Sequence, residues 1–381
     1  RVMLFLQSYQ VTTGYAVKIF KQYGNKAIEK LKENPYTMVD DIFGIGFKIA
    51  DKIARNLGIG NDSPARIRAG IKYCLEEHAG QGHCFVYEDI LLQTTAELLE
   101  VSTEMVEKEC EQLNNNKEII IQQKQVWLPA YYNAEAEISQ KIFQLIRFPQ
   151  QLTQLNIDEK IAQLEESYKI HFAPEQKQAI KEVLLHRVLI LTGGPGTGKT
   201  TTTIGLIELF EELGLKIALA APTGRAAKKL SEATRRTAQT IHRLLAYKPK
   251  DRCFTKNEQN PLRADVIILD EVSMIDILLM QSLLKAVRDG TFLILIGDVD
   301  QLPSVGPGNL LKDLIDSGAI PVIRLTHIFR QKAKSLIILN AHRVNQGQFP
   351  ILKSKQERDF YFLKEENPEL AAQKIVQLCT Y

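Results

Sequence analysis

The sequence predicts a parallel α/β core preceded by a mainly helical region. Three observations carry this expectation. Five apolar runs, "RVLILT", "KIALAAP", "DVIILD", "TFLILIG" and "VIRLT", recur in the second half with helical stretches between them. That is the pattern of strands buried on both faces of a parallel sheet. The first run leads into a glycine-rich turn and then a helix, "TGGPGTGKTTT". Upstream, short helices and tight turns dominate, and strand-like runs are few.

Composition sets the outer limits. The 381 residues are 45% hydrophobic and 24% charged, a globular balance that suggests two or three domains. Cys74, Cys84, Cys110, Cys253 and Cys379 form no CxxC pair, so a zinc site or disulfide framework is not expected, and a reducing, cytoplasmic (bacterial) setting fits. No apolar run approaches the ~20 residues of a membrane span, and no signal peptide opens the chain. The net charge of +3 is too small to indicate nucleic-acid binding by itself. The chain begins with Arg1 and stops inside a helical stretch, "ELAAQKIVQLCTY", so it reads as a piece of a longer protein.

The N-terminal region divides in two. Residues 1–80 read as short helices in which "VTTGYAVKIFKQYG" aligns with "IGFKIADKIARNLG", pairing Ala16 with Ala50 and Ile19 with Ile53. This suggests a duplicated helical unit. In "FGIGFKIADKIA", Gly44 and Gly46 permit a tight turn, and the N–H groups opening the next helix can hold a phosphate without reading bases. Lys48 and Lys52 add charge. The pattern matches a helix-hairpin-helix; the plain alternative is an ordinary helical hairpin. The first copy has Gln10 and Thr12 where the second has Gly44 and Gly46, which favours packing over binding. Residues 81–145 read as helices and then two strand-like runs, "KEIIIQ" and "QVWLPAY", a winged-helix-like arrangement. Residues 146–172 read as a helical connector.

From 173 to 325 the pattern is one P-loop NTPase core of the RecA type. Gly193-x-x-x-x-Gly198-Lys199-Thr200 follows a strand and opens a helix, the context the phosphate-binding loop requires. Gly193, Gly194, Pro195, Gly196, Thr197, Gly198, Lys199, Thr200 and Thr201 are expected to cradle ATP. Lys199 would reach the β and γ phosphates and Thr200 would ligate Mg²⁺. In "DVIILDEVSM", Asp270 ends a strand where it can hold Mg²⁺, and Glu271 can polarise the attacking water.

Six ordered motifs then carry a resemblance. "APTGRAAKKL", "AQTIHRLL", "LDEVSMID", "LIGDVDQLPSVGPGNLL" and "LTHIFRQ" follow the loop in superfamily 1 helicase order. With "ENPYTMVDDIFGIGFKIADKIA" and "DSPARIRAGIKYCLEEHAGQGH", nearly the whole chain resembles the stand-alone bacterial RecD-like helicases that carry an N-terminal helix-hairpin-helix region. The resemblance implies ATP- and Mg²⁺-driven movement on single-stranded DNA and at single/double-strand junctions, 5′→3′, in repair or recombination. It also implies a probable monomer with no membrane attachment. It assigns Gln176 to the adenine edge, Gln301 to sensing the γ phosphate, Arg330 to the γ phosphate from a second RecA-like domain, and Thr223 and His242 to DNA. Thr223 also suits a helix N-cap, His242 also suits a core position, and Arg225, Lys228 and Lys229 also suit a solvated face. Residues 326–381 read as the start of the second RecA-like domain. The family's later motifs do not occur before Tyr381, so the chain as given is expected to bind nucleotide but not to unwind DNA alone. A non-helicase P-loop ATPase and a non-catalytic DNA-binding module are the competing readings.

Overall fold

A computed structural model describes residues 2–9, 11–149, 156–327, 335–352 and 359–380. The chain folds as two compact units. One holds residues 1–143 with 274–285 and 303–310; the other holds 144–273, 286–302 and 311–381.

The N-terminal unit opens with α1 (Val2–Ser8), α2 (Thr13–Tyr23), α3 (Ala27–Glu33), α4 (Thr37–Asp41), α5 (Phe47–Asn56) and α6 (Pro64–Gly80). The duplication is structural: α2 and α5 start at residues 13 and 47, and 47 − 13 = 34, the offset of the aligned segments. The paired residues Ala16, Ile19, Ala50 and Ile53 all lie in one apolar core that runs from Val2 to Val126. Side chains this buried contribute on the order of 1.5–3 kcal/mol each for the larger ones. Gly46, at φ −89°, precedes α5 as Thr12 precedes α2. Gly44 sits at φ +84°, a left-handed turn conformation that side-chain-bearing residues resist.

The chain continues through β1 (Phe85–Tyr87), α7 (Glu88–Leu99), α8 (Thr103–Asn115), β2 (Ile120–Gln122), β3 (Gln125–Trp127) and α9 (Pro129–Arg147). The three strands pair antiparallel in the order β1-β3-β2. They lie in one unit with α6, α7 and α8, the helices-then-hairpin order read from the sequence. Gln123 and Lys124, both at positive φ, make the tight β2–β3 turn. The run "QVWLPAY" is shorter as a strand than its apolarity suggests, because Pro129 has no N–H for a ladder and instead opens α9. β1 was not expected; three residues give too little pattern to read.

The second unit contains α10 (Ile157–Tyr168), α11 (Pro174–Glu182), β4 (Val188–Gly193), α12 (Lys199–Glu212), β5 (Ile217–Ala221), α13 (Gly224–Thr234), β6 (Ala238–Thr240) and α14 (Ile241–Leu244). After these come β7 (Tyr247–Lys248), β8 (Cys253–Phe254) and β9 (Val266–Leu269), with α15 (Ile277–Lys285) following in sequence but grouped with the N-terminal unit. Then come β10 (Phe292–Gly297), α16 (Leu310–Asp316), β11 (Val322–Leu325), α17 (Leu336–Asn345) and α18 (Pro368–Cys379). All five expected runs are strands of one parallel sheet ordered β11-β4-β10-β9-β5-β6. β4, β9 and the body of β10 are buried on both faces, which is why their sequences are continuous rather than alternating. Parallel strands place the turns after β4, β5, β9 and β10 along one edge, the carboxyl edge where such sheets bind ligands.

Candidate active site

The loop after β4 is shaped by glycine. Gly196 and Gly198 stand at φ +84° and +85°. At Gly193 a Cβ would meet Thr197 Oγ1 at 2.7 Å and the Leu325 carbonyl oxygen at 2.8 Å, so only glycine fits. Gly198 caps α12, a 14-residue helix whose first N–H groups have no intrahelical acceptor. The threonine run divides its work: Thr202 and Thr203 hydroxyls donate back to the Gly198 and Lys199 carbonyls. Thr200 is exposed at the mouth of the loop, and Thr201 is half-buried behind it. Pro195 sits exposed at the loop tip.

Lys199 donates to the Gly193 carbonyl and, at 3.3 Å, to that of Gly194. Burial lowers its pKa, and Asp298, Glu271 and Asp270 oppose that in this order. Burial raises the pKa of Asp270, with Glu271 adding to the rise and Lys199 opposing it. Asp270 accepts the Glu271 N–H at 3.0 Å. Glu271 itself has φ +54°, a backbone conformation costing on the order of 1–3 kcal/mol and typical of functional positions. Its Oε2 is buried without a partner among the described residues. A strained residue with an orphaned carboxylate oxygen, beside a carboxylate pushed toward its neutral form, is a site short of positive charge.

Magnesium would supply that charge, and the donors suit it. Mg²⁺ takes hard oxygens, usually one or two from protein and the rest from phosphate and water. Thr200 and Asp270 are the residues that would hold it. No group of three or more His, Cys, Asp or Glu able to hold a metal occurs among the described residues.

Asp298 was not anticipated as a site residue. It is 3% exposed, accepts the Asp300 N–H at 3.2 Å and the Gln301 side-chain amide at 3.4 Å, and is the first of the charges acting on Lys199. The sequence held one signal, its place directly after a buried strand in "LIGDVDQLP". Gln301 is exposed, and its side-chain amide donates to Asp298.

Gln176, expected at the adenine edge, lies in the first turn of α11. It is fully buried; its Oε1 accepts the Ala173 N–H at 2.8 Å, and its Nε2 donates to the Gly198 carbonyl at 3.1 Å. In this conformation it ties α11 to the phosphate loop. The capping position at a helix start competes with the ligand for the same amide. Arg330 lies outside the described residues.

Thr223 follows β5 and caps α13, accepting the Ala226 N–H at 3.2 Å; its hydroxyl hydrogen remains available to a phosphate. His242 is exposed rather than a core residue. Its ring lies edge-on to Tyr247 at 5.5 Å and tilted on Phe254 at 5.5 Å, so it braces the β7–β8 hairpin.

In the N-terminal unit, Gly44, Gly46 and Lys48 are all exposed at the turn before α5. Lys48 lies over the Tyr73 ring at 5.6 Å, and its pKa is raised chiefly by a hydrogen bond with Tyr73. Lys18, from the first copy, donates to the Phe43 carbonyl at 3.2 Å, bringing a further positive charge to the same turn. The hairpin rests on a buried ion pair. Arg66, 1% exposed, donates to Asp51 at 2.8 Å and to the Leu99 carbonyl at 2.8 Å, and Tyr36 donates to Asp51 at 2.7 Å.

A glycine loop between strand and helix, with paired carboxylates two strands away on the same sheet edge, defines the class: a P-loop NTPase fold of RecA type that follows a helical N-terminal region in sequence. Residues 176–307 match the family model of the AAA domain, and residues 1–85 match that of the ATP-dependent RecD2 DNA helicase HHH domain. The ATP-dependent RecD2 DNA helicase of Deinococcus radiodurans is 34% identical over 389 aligned residues, covering 98% of this chain and 53% of that protein. The RecBCD enzyme subunit RecD of Mycobacterium tuberculosis is 40% identical over 225 residues, 51% of this chain and 38% of that protein. A solved structure, the Pif1 helicase from Candida albicans, aligns with TM-score 0.36 and 23% identity over 49% of this chain and 50% of that one. The chain belongs to the RecD-like helicase family, with the N-terminal helix-hairpin-helix region of that family. It spans about half the length of the first of these relatives. No helix among the described residues is long and apolar enough to cross a membrane.

Proposed function

We propose that this chain carries the nucleotide site and a DNA-gripping hairpin of an ATP-dependent DNA helicase. ATP hydrolysis drives movement along single-stranded DNA and across single/double-strand junctions, 5′→3′, in DNA repair or recombination. The observation that carries the reading is the strained, unpartnered Glu271 carboxylate beside Asp270 on the edge that also holds Lys199. In this reading Thr200 and Asp270 would hold Mg²⁺, which would offset the charge of the phosphates. Glu271 takes the proton of the attacking water, and Lys199 leaves the loop carbonyls for the transferring phosphoryl group, whose charge it offsets. Gln301, steadied by Asp298, senses the γ phosphate, and Arg330 completes the charge from the domain begun at 326–381. Gln176 reads adenine only if it releases Ala173 or Gly198. Thr223 contacts a DNA phosphate, and His242 acts on DNA through the hairpin it braces. Gly44, Gly46 and Lys48 hold a phosphate of the DNA backbone.

The test is strand displacement by the full-length protein on substrates with 5′ or 3′ single-stranded tails, alongside its ATPase with and without DNA. Displacement from the 5′ tail and stimulation by single strands are expected. Robust ATPase indifferent to DNA would favour the non-helicase ATPase reading, and displacement from the 3′ tail would reverse the polarity.

A further inference from the structure

A cavity of about 530 Å³ opens on the outer side of the phosphate loop, against α17. Gly194, Thr197, Asp300, Arg324, His342 and Arg343 are among its walls. Three of these six can carry positive charge and one is acidic, so the cavity adds to the positive field of Lys199.

His342 is the informative wall. Its ring lies so close to Gly194 that a Cβ there would meet the imidazole Cε1 at 2.8 Å. Its Nε2 is buried and has no partner among the described residues. A buried polar group left unpaired costs on the order of 1–3 kcal/mol. A side chain free to turn would avoid that cost, but α17 is fixed around His342. Asn340, two residues earlier, is 4% exposed, and its side-chain amide exchanges two hydrogen bonds with Ile351, at 3.0 and 2.7 Å. Arg343, the next residue, donates to the Phe349 carbonyl at 2.9 Å. Leu336 at the helix start is buried, and its N–H is bound by Asp359 at 3.0 Å. The helix is therefore held so that residues 339, 342, 343 and 346 share the face toward the loop. The imidazole keeps an unpaired nitrogen against a loop shaped to hold phosphate.

We propose that His342 is a nucleotide-binding residue whose Nε2 donates a hydrogen bond to a phosphate oxygen of the nucleotide cradled by residues 193–200. The proposal rests on the reading of that loop as a nucleotide site and adds a contact from beyond the sheet. Imidazole suits the role in either protonation state, because the neutral tautomer with hydrogen on Nε2 donates as the cation does. The contact would also tie α17 to the loop when nucleotide is bound. Asp300 is the one acid on the cavity wall, and it sits on the β10 side rather than on α17.

The experiment measures equilibrium binding of a fluorescent ATP analogue with Mg²⁺, and competition by adenosine, for the wild type, His342→Ala, His342→Gln and Lys199→Ala. Glutamine places an N–H near the position of Nε2. A hydrogen bond to a charged group implies roughly tenfold or more in affinity. His342→Ala should lose about that factor for ATP, His342→Gln should regain most of it, and adenosine, lacking phosphate, should compete equally with all of them. ATP affinity within twofold of wild type in His342→Ala would overturn the proposal, and so would an equal loss for adenosine, which would make the ring a shape element only. If His342→Ala does not fold, His342→Gln binding ATP as poorly as Lys199→Ala would overturn it and near-wild-type binding would uphold it. Unchanged binding in Lys199→Ala would instead remove the nucleotide reading of the loop, a distinct failure.

Discussion

The chain uses the same device twice, a glycine turn opening onto a helix with a lysine at its start, and surrounds it differently each time. In the second unit the turn after β4 opens the 14-residue α12, and Lys199 is half-buried among Asp298, Glu271 and Asp270. In the N-terminal unit the turn before the 10-residue α5 is open to solvent, with Lys48 and Lys18 close by. Both present N–H groups and a helix field to an anion. Only the first adds paired carboxylates, burial and backbone strain. A phosphate held among carboxylates needs a metal and can be attacked by a polarised water; a phosphate held by amides and lysines in the open is only gripped. The contrast is between chemistry and purchase, and it follows from the surroundings rather than from the turn.

In the same unit α8 carries Glu104, Glu107 and Glu111 against Lys108 on its exposed face, while Glu109 is buried beside Arg68. A helix so acidic repels a phosphate backbone.

If the enclosed turn does chemistry, single atoms there should matter most. Lys199→Ala should lower ATP turnover by about two to three orders of magnitude, since one transition-state contact in a dry site is worth ~10²–10³; steady-state hydrolysis checks it, and turnover within a few-fold of wild type would break the comparison on its catalytic side. Glu271→Gln should keep nucleotide binding while slowing hydrolysis by about 10²–10⁴. Loss of binding together with hydrolysis would make Glu271 structural.

The open turn depends on its footing. Arg66→Met removes the buried cation from Asp51 and Tyr36, leaves only the more exposed Arg55 at 3.2 Å, and should destabilise the N-terminal unit by up to about 3–5 kcal/mol, as breaking a buried pair does. Burial acts to raise the Asp51 pKa, but Arg66, Tyr36 and Arg55 more than offset it, so the folded carboxyl titrates below its ordinary value. Stability from this pair is thus fully present above the unfolded carboxyl value of about 4 and is lost as pH falls through the lower folded one. Urea melts at neutral and acid pH should show the wild type losing stability on that limb and the variant losing less.

The smallest effect belongs to the turn itself. Gly46→Ala places a Cβ in open space at ordinary φ, so the fold should tolerate it. DNA affinity should nevertheless fall a few-fold, equally on unrelated oligonucleotides, with a shallower salt dependence. Gly44→Ala is a poorer probe: at φ +84° and with Lys18 Nζ 2.8 Å from the added carbon, it strains the turn whatever DNA does.

What the sequence disclosed follows from how each feature is written. Strands buried on both faces must be apolar throughout, so β4, β9 and β10 were legible, and β5 and β11 followed from apolar runs that are only partly buried, whereas β6, the polar "AQT", exists through its pairing with β5. The phosphate loop was legible because backbone geometry writes glycines at fixed spacing. Asp298 is one of 45 acidic residues, and nothing local marks the burial that makes it act on Lys199. Gln176 sits in the right motif, but the neighbouring backbone holds its amide. His242 and His342 owe their surroundings to the Tyr247–Phe254 hairpin and to Gly194, contacts across distances in sequence that no local pattern encodes.

The most direct test crosses the two turns. ATP hydrolysis without DNA, and DNA affinity without nucleotide, would be measured for Lys199→Ala and Gly46→Ala side by side. The account predicts that Lys199→Ala loses hydrolysis and keeps DNA affinity, while Gly46→Ala loses affinity and salt slope but hydrolyses ATP at the unstimulated wild-type rate. A Gly46→Ala protein with unchanged DNA affinity and slope, or a Lys199→Ala protein whose DNA binding falls as far as its hydrolysis, would contradict the division of labour between the enclosed turn and the open one.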